Sequence, residues 1–408
     1  LFFYISKKMN RCNFSTSNFS KRVEGLDDIH ITNPLTDRRL LVYNNTRGTY
    51  DDTTTVSSDT TMASNSTYKI PDEFAVKGYV ASYHTLADEP TGFATRATST
   101  LAFTNGSRTL SIQPTGGPNF DYYISGVKFT STGATRVITA VLGLHYVYFD
   151  GATLTSTTTW SIAILRDYCY VAAVYWDTTG VEHIYLGDER HGLGMSWEEH
   201  YYLHVSLGTQ FISGLSLSGL ETEQDGSLAS HCTVQTDLGQ ILDEDIINDI
   251  PVKVKGVDLY YIFYKTGASG DWSFTANTAP ILNAPAGRVY WNEFTGGAWQ
   301  LTEGGISRFI LSHIFCTNDY TAIRKTIVVM GEAQYTGVVA ARSGAATELN
   351  SLILANMPFE EFLAVGTLLY QTGAYANIYK ARLRDTITGT EEYVDWRQKT
   401  RPSTTSLT

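Results

Sequence analysis

Paired thiols are missing from this chain. Its four cysteines, Cys12, Cys169, Cys232 and Cys316, lie far apart and no two form a CxxC pair. That spacing excludes a disulfide-dense scaffold and a zinc ribbon, and it suits free thiols in a chain folded in a reducing cytoplasm. Charge is sparse as well, at 17% of 408 residues, and its formal balance of −11 would be repelled by nucleic-acid phosphates. No nucleic-acid partner is expected. No apolar run approaches about 18 residues without a charge or a histidine, and the apolar opening Leu1–Ile5 is far too short to span a bilayer, so membrane insertion is not expected. A nucleophile elbow, a P-loop, a dinucleotide fingerprint in a supporting context, the zincin HExxH and the ordered ligands of an EF-hand are all lacking. So is the repeating strand period of a long parallel β-helix. No catalytic residue and no cofactor are assigned, and the chain is not expected to be an enzyme.

What the chain does contain is apolar and aromatic residues, 43% and 12%, with abundant glycine, threonine and serine. This composition favours strands and turns, and the length exceeds what one core usually fills. The expected fold class is mainly β: modular antiparallel β-sandwich-like domains with a short N-terminal amphipathic helix. Residues 1–24 read as a flexible arm and 25–57 as a small β attachment module, followed at 58–86 by a polar tether and the helix. A small β-sandwich domain is expected over 87–155, where Asn105-Gly106 between Leu101–Phe103 and Ser107–Ile112 is a hairpin cue. A larger β domain is expected over 156–345, with turn signals every 8–12 residues or so. Residues 346–408 read as a β-hairpin region across Gly373 and a tail. Within the larger domains, Ser161–Tyr175 reads as strand, and short helices are expected at Trp197–His204 and Ala346–Ala355.

The amino-terminal helix follows a Ser/Thr/Asn run. Pro71 suits its first position, Asp72 and Glu73 complement the dipole, and Val76, Tyr79, Val80 and Tyr83 recur on one face. Three to four turns are too few for a stable isolated helix, so that stripe must dock, and burying it from several chains would set an oligomer's symmetry.

The same stretch carries a resemblance. Asp59-Thr60, Ala63, Ser66, Ile70-Pro71, Ala75-Val76-Lys77 and Tyr79-Val80 match a segment common in tail-fibre proteins of tailed bacteriophages. Asp72-Glu73-Phe74 and Gly78 depart from it. Leu26–Ile29, Thr32–Pro34 and Leu40–Asn44 are similar to a small module of the same proteins, with Arg38-Arg39 in place of its usual Gly-Gln. Phe103–Ile112 with Pro114–Gly116, Asp188–Gly192 with His200 and His204, and Tyr393–Arg397 resemble further segments in the same order. The resemblance implies a virion structural protein, a homotrimeric fibre or fibre-anchoring subunit of the tail or baseplate. It would be made in the host cytoplasm and would bind itself and other virion proteins. The alternative is a receptor-binding module for bacterial surface glycan, and a third possibility is a glycan depolymerase.

Three constellations could carry chemistry. His191, His200 and His204, with His183, Asp188 and Glu198 near in sequence, offer nitrogen and oxygen ligands for a divalent metal, or else pack structurally at an interface. Asp243-Glu244-Asp245 with Asp249 reads either as a calcium loop or, in preference, as an exposed acidic turn. Tyr122, Tyr123, Trp291 and Trp299 are candidate platforms for stacking sugars, or broad contact area between subunits.

Overall fold

A computed structural model describes residues 90–352, 354–385 and 392–397, with short stretches of the amino-terminal part at 29–30, 40–44, 46, 49–53, 56–57, 70–71 and 76. The chain divides into two compact units, Leu1–Asp88 and Glu89–Thr408. It is mainly β, 48% strand against 13% helix.

In the first unit, Thr49–Thr53 is the middle strand of three, antiparallel to Leu40–Asn44 and parallel to Ile29–His30. Val56–Ser57 runs parallel to Ile70–Pro71. Pro71 is thus extended and not the first residue of a helix; a two-residue strand with a single neighbour tolerates its missing N–H. The arm expected at 1–24 lies outside the described residues. Of the expected helix, Val76 is described: it is helical and 42% exposed, while Tyr79, Val80 and Tyr83 lie outside the described residues.

The second unit is organised around a seven-stranded mixed sheet. Its order is Asp271–Asn277, Tyr260–Thr266, Thr326–Tyr335, Phe309–Thr317, Phe362–Thr372 and Ala381–Arg384, with Val394–Asp395 pairing beside the last on Phe362–Thr372. Both faces of this sheet are covered, which explains why Phe309–Thr317 is buried at every residue. Phe309, Leu311, Phe315, Ile327 and Val329 face one core together with Ala341, Ala345 and Leu349 of the helix Val338–Ser351. Ile310, Ile314, Cys316, Val328 and Met330 face a second core. Tyr370 lies in that core too, paired with Leu383 of the neighbouring strand.

A four-stranded antiparallel sheet follows the same logic. Its order is Thr153–Thr157, Gly143–Asp150, Cys169–Asp177, Glu182–Asp188. Tyr146, Tyr170, Ala173, Tyr175, Ile184 and Tyr185 turn into the first core, whereas Val147, Phe149, Val171, Val174 and Trp176 join Phe93, Leu110, Phe120 and Tyr122 in a third. Neighbouring residues of these strands mostly face different cores, a bulge opposite Tyr175/Trp176 letting Ile184 and Tyr185 share one, and so the layers are welded together. The boundary expected between 155 and 156 runs through this one sheet, because Gly143–Asp150 pairs with Cys169–Asp177.

Local departures have local reasons. The Asn105-Gly106 hairpin forms, with Ser99–Thr104 antiparallel to Thr109–Pro114, but through a 3-10 turn ending at Arg108 with φ 52°. Ala163–Arg166, read as strand, is a helical turn that buries Ile164 and Leu165. The last helix begins at Val338, not Ala346, because Ala341, Ala345 and Leu349 give it an inward stripe despite its β-branched start. Phe362–Thr372 and Ala381–Arg384 pair as expected across Gly373. Cys169, Cys232 and Cys316 are buried; Cys12 lies outside the described residues. Among the described residues no helix is long and apolar enough to cross a membrane.

Candidate functional site: a buried histidine–carboxylate cluster

Four segments meet at one place in the second unit. The first is the extended stretch 188–192 that leaves the strand Glu182–Asp188. Its side chains alternate. Asp188 and Arg190 form a two-pronged ion pair at 2.7 Å, with Arg96 3.1 Å from Asp188 and the Arg190 guanidinium also donating to the Ser99 carbonyl at 2.6 Å. Glu189 and His191 are thereby turned into the cluster.

The second segment is the helix Trp197–Ser206. Ser196 caps it: its hydroxyl accepts from the Glu199 N–H at 3.2 Å, and the Glu199 carboxylate accepts from the Ser196 N–H at 3.0 Å. His200 and His204, one turn apart, are its buried residues. The rings of His191 and His200 lie 4.1 Å apart, and those of His200 and His204 6.3 Å. The three histidines singled out in the sequence are therefore brought together. His183 is not among them; its ring pairs with the Asn105 side chain at 2.7 Å. Asp188 is held by arginines, and Glu198 stands in the exposed first turn of the helix.

The third segment is the turn between the strands Gly239–Asp243 and Ile246–Ile250. The expectation of an exposed acidic turn holds for Asp245 and Asp249 and is overturned for Asp243 and Glu244, whose side chains are buried. Glu244 adopts a left-handed φ of 43°, and its side chain is 1% exposed. It reaches His204 Nδ1 at 3.2 Å, while Asp245 meets His191 Nδ1 at 2.5 Å and accepts from the Gly192 N–H at 2.8 Å. Asp243 accepts from the Asn318 amide at 2.6 Å. The fourth segment, Glu360-Glu361, precedes the strand Phe362–Thr372. Glu361 lies 2.7 Å from His204 Nδ1 and accepts from the Thr209 hydroxyl, and Glu360 accepts from the Tyr170 hydroxyl at 3.2 Å.

Proximity sets the protonation of these groups. Burial pushes the His191 imidazole down, but the hydrogen bond to Asp245 and the nearby Glu189 and Glu244 carboxylates outweigh it and carry the pKa up to about 10. His204 is raised in the same way, desolvation being overcome by Glu361 and Glu244. His200 is pushed well below its ordinary value, by desolvation first and then by the positive His191. Burial raises Glu189 and Asp243, and burial with the charge of Glu189 raises Glu360 to about 8. Glu244 is held low despite its burial, because His204 and Asp243 donate to it.

Glu189, His200, His204 and Glu360 line a cavity of about 10 Å³ with Trp160, Leu165 and Tyr170. That is room for one water or one ion, not for an organic substrate. The chemistry available is cation binding or proton exchange among buried groups.

The aromatic candidates do not form a platform. Tyr122 is 1% exposed, stacked on Phe149 and Phe129. Tyr123, its neighbour in the strand Phe120–Ile124, faces the opposite side. Trp291 pairs with Thr302, and Trp299 pairs with Phe294 in the same hairpin, so these two rings also lie on opposite faces. The Lys265 ammonium sits 3.5 Å from the centroid of the Trp299 ring.

Two sets of site residues escaped the sequence reading. Glu360-Glu361, charged yet flanked by Phe359 and Phe362, carried a signal in that contrast. Glu189 carried one in its alternation with His191. Compared with protein-family models, curated proteins and solved structures, the chain matches none.

Proposed function

We infer that this chain is a structural subunit of a tailed-bacteriophage virion, a fibre or fibre-anchoring subunit of the tail or baseplate, and that it assembles as a homotrimer. The observation that carries the reading is an unpartnered apolar face. The helix Trp197–Ser206 buries its histidines and turns Tyr201, Tyr202 and Val205 outward, Tyr202 being 63% exposed, and Leu207 continues that surface. Apolar surface of this kind is what a second copy covers. The ordered family-like segments agree with a mechanical role. Arg190, paired with Asp188, ties the end of Glu182–Asp188 to Ser99 at the start of Ser99–Thr104, and Trp396 of the Tyr393–Arg397 segment packs in the first core. The test is the solution mass of the isolated chain. Three times the 45.2 kDa of one chain is expected, and a stable monomer at micromolar concentration sinks the reading.

A second reading, recognition of bacterial surface glycan, rests on an open groove of about 650 Å³ lined by Gln240, Asp249, Tyr320 and Lys325 among others. Its size, with these polar side chains set in a mainly apolar lining, suits a short saccharide. A glycan array separates the two, since a scaffold gives no saturable signal.

A further inference from the structure

We propose that Glu189, His191 and His200 hold one divalent transition-metal ion of the zinc, manganese or iron class, with Glu244 as the adjoining donor. One ligand atom from each of Glu189, His191 and His200 lies within 4.8 Å of the other two, and His200, His204 and Glu244 form a second such group. Two ligands each about 2.1 Å from a tetrahedral ion stand roughly 3.4 Å apart. His191 Nε2 lies 3.5 Å from Glu189 Oε2 and 3.7 Å from Glu244 Oε2, too far for a good hydrogen bond and close to that tetrahedral edge.

Independent of this spacing, three buried polar atoms on these side chains have no hydrogen-bond partner among the described residues. His191 Nε2, Glu189 Oε1 and Glu244 Oε2 are buried without a hydrogen bond, on side chains only 6%, 3% and 1% exposed. Leaving such atoms unpaired is destabilising, and a cation held between the His191 ring and the Glu189 and Glu244 carboxylates offsets that cost. The outer contacts are also those of a metal-binding imidazole. Asp245 holds His191 Nδ1 at 2.5 Å and is itself fixed by the Gly192 N–H, which aims Nε2 inward, where a metal would displace its proton.

The donor set selects the metal. Imidazole and carboxylate without thiolate suit zinc, manganese or iron; calcium and magnesium prefer oxygen alone. The described cysteines lie in the second and third cores, away from the cluster. Bound there, the ion joins the end of one strand, the Trp197–Ser206 helix and the turn at Glu244, and so acts as an internal cross-link.

The test uses the full chain. Elemental analysis of the purified protein should find about one equivalent of zinc, manganese or iron. After treatment with a chelator, the melting temperature should fall, and cobalt(II) should then bind stoichiometrically with the absorption of a tetrahedral centre. Asp245→Asn, which removes only the support of His191, should weaken cobalt binding about 10- to 100-fold. His200→Gln should abolish it. Three results overturn the proposal: no cobalt uptake by the unaltered chain, uptake only at millimolar concentration, or uptake unchanged in both variants. Should the variants fail to fold, the titration of the unaltered chain decides alone.

Discussion

Tyr122 lies against Phe149 with ring centroids 4.2 Å apart and planes 16° from parallel, and its hydroxyl donates to the Gly151 carbonyl at 2.9 Å. A residue type that could stack on sugar is here a core residue of the third cluster. Tyr122→Ala should cost about 3–5 kcal/mol of stability and Tyr122→Phe about 1 kcal/mol. Urea unfolding checks this. An effect of Tyr122→Phe on glycan retention without one on stability would contradict the assignment.

Lys265 bridges two interactions, its ammonium lying over Trp299 and 2.6 Å from Glu332. Lys265→Met removes the partner of a half-buried carboxylate, and the expected loss is about 3 kcal/mol. Adding Glu332→Gln should recover part of it. Equal losses in the single and double variants would show the pair to be uncoupled.

Asp319 gives a pH signature. Burial raises its carboxyl to about 6, against the partial relief of hydrogen bonds from Thr321 and Leu186. A raised folded pKa means the folded state binds the proton more tightly than the unfolded one. Its stability contribution is therefore complete below about pH 4 and is lost as pH rises through 6, amounting to about 3 kcal/mol. Asp319→Asn should flatten that slope and melt higher than the native chain at pH 8. A slope between pH 4 and 6 unchanged by the substitution would rule Asp319 out as its source.

The cap of the Trp197–Ser206 helix links stability to the cluster. Ser196→Ala should cost about 1 kcal/mol and loosen the first turn that leads to His200. Hydrogen exchange at Glu199 and His200 should quicken while the strands Phe309–Thr317 and Phe362–Thr372 keep their protection. Unchanged exchange at both amides would mean the helix does not depend on this cap.

Local features were legible from residue order. The Asn105-Gly106 hairpin, the pairing across Gly373 and the helix carrying His200 and His204 each depend on contacts a few residues apart, so turn chemistry and periodicity suffice. The inward stripe of Val338–Ser351 was less legible, because Ala341 and Ala345 are too small to stand out. The acidic turn misled for a different reason. Asp243, Glu244 and Asp245 look solvated in isolation, yet the side chains of Asp243 and Glu244 are buried, and the approach of Asn318 and His204 makes that tolerable.

Composition and spacing alone determined the mainly β class and placed two histidines one helical turn apart. The folded packing decided everything that joins distant segments. His191 meets a carboxylate 54 residues away and Thr209 one 152 away, and the two large sheets each feed two cores. Such meetings depend on how layers of side chains interlock, and no local run of residues encodes which layer another will face.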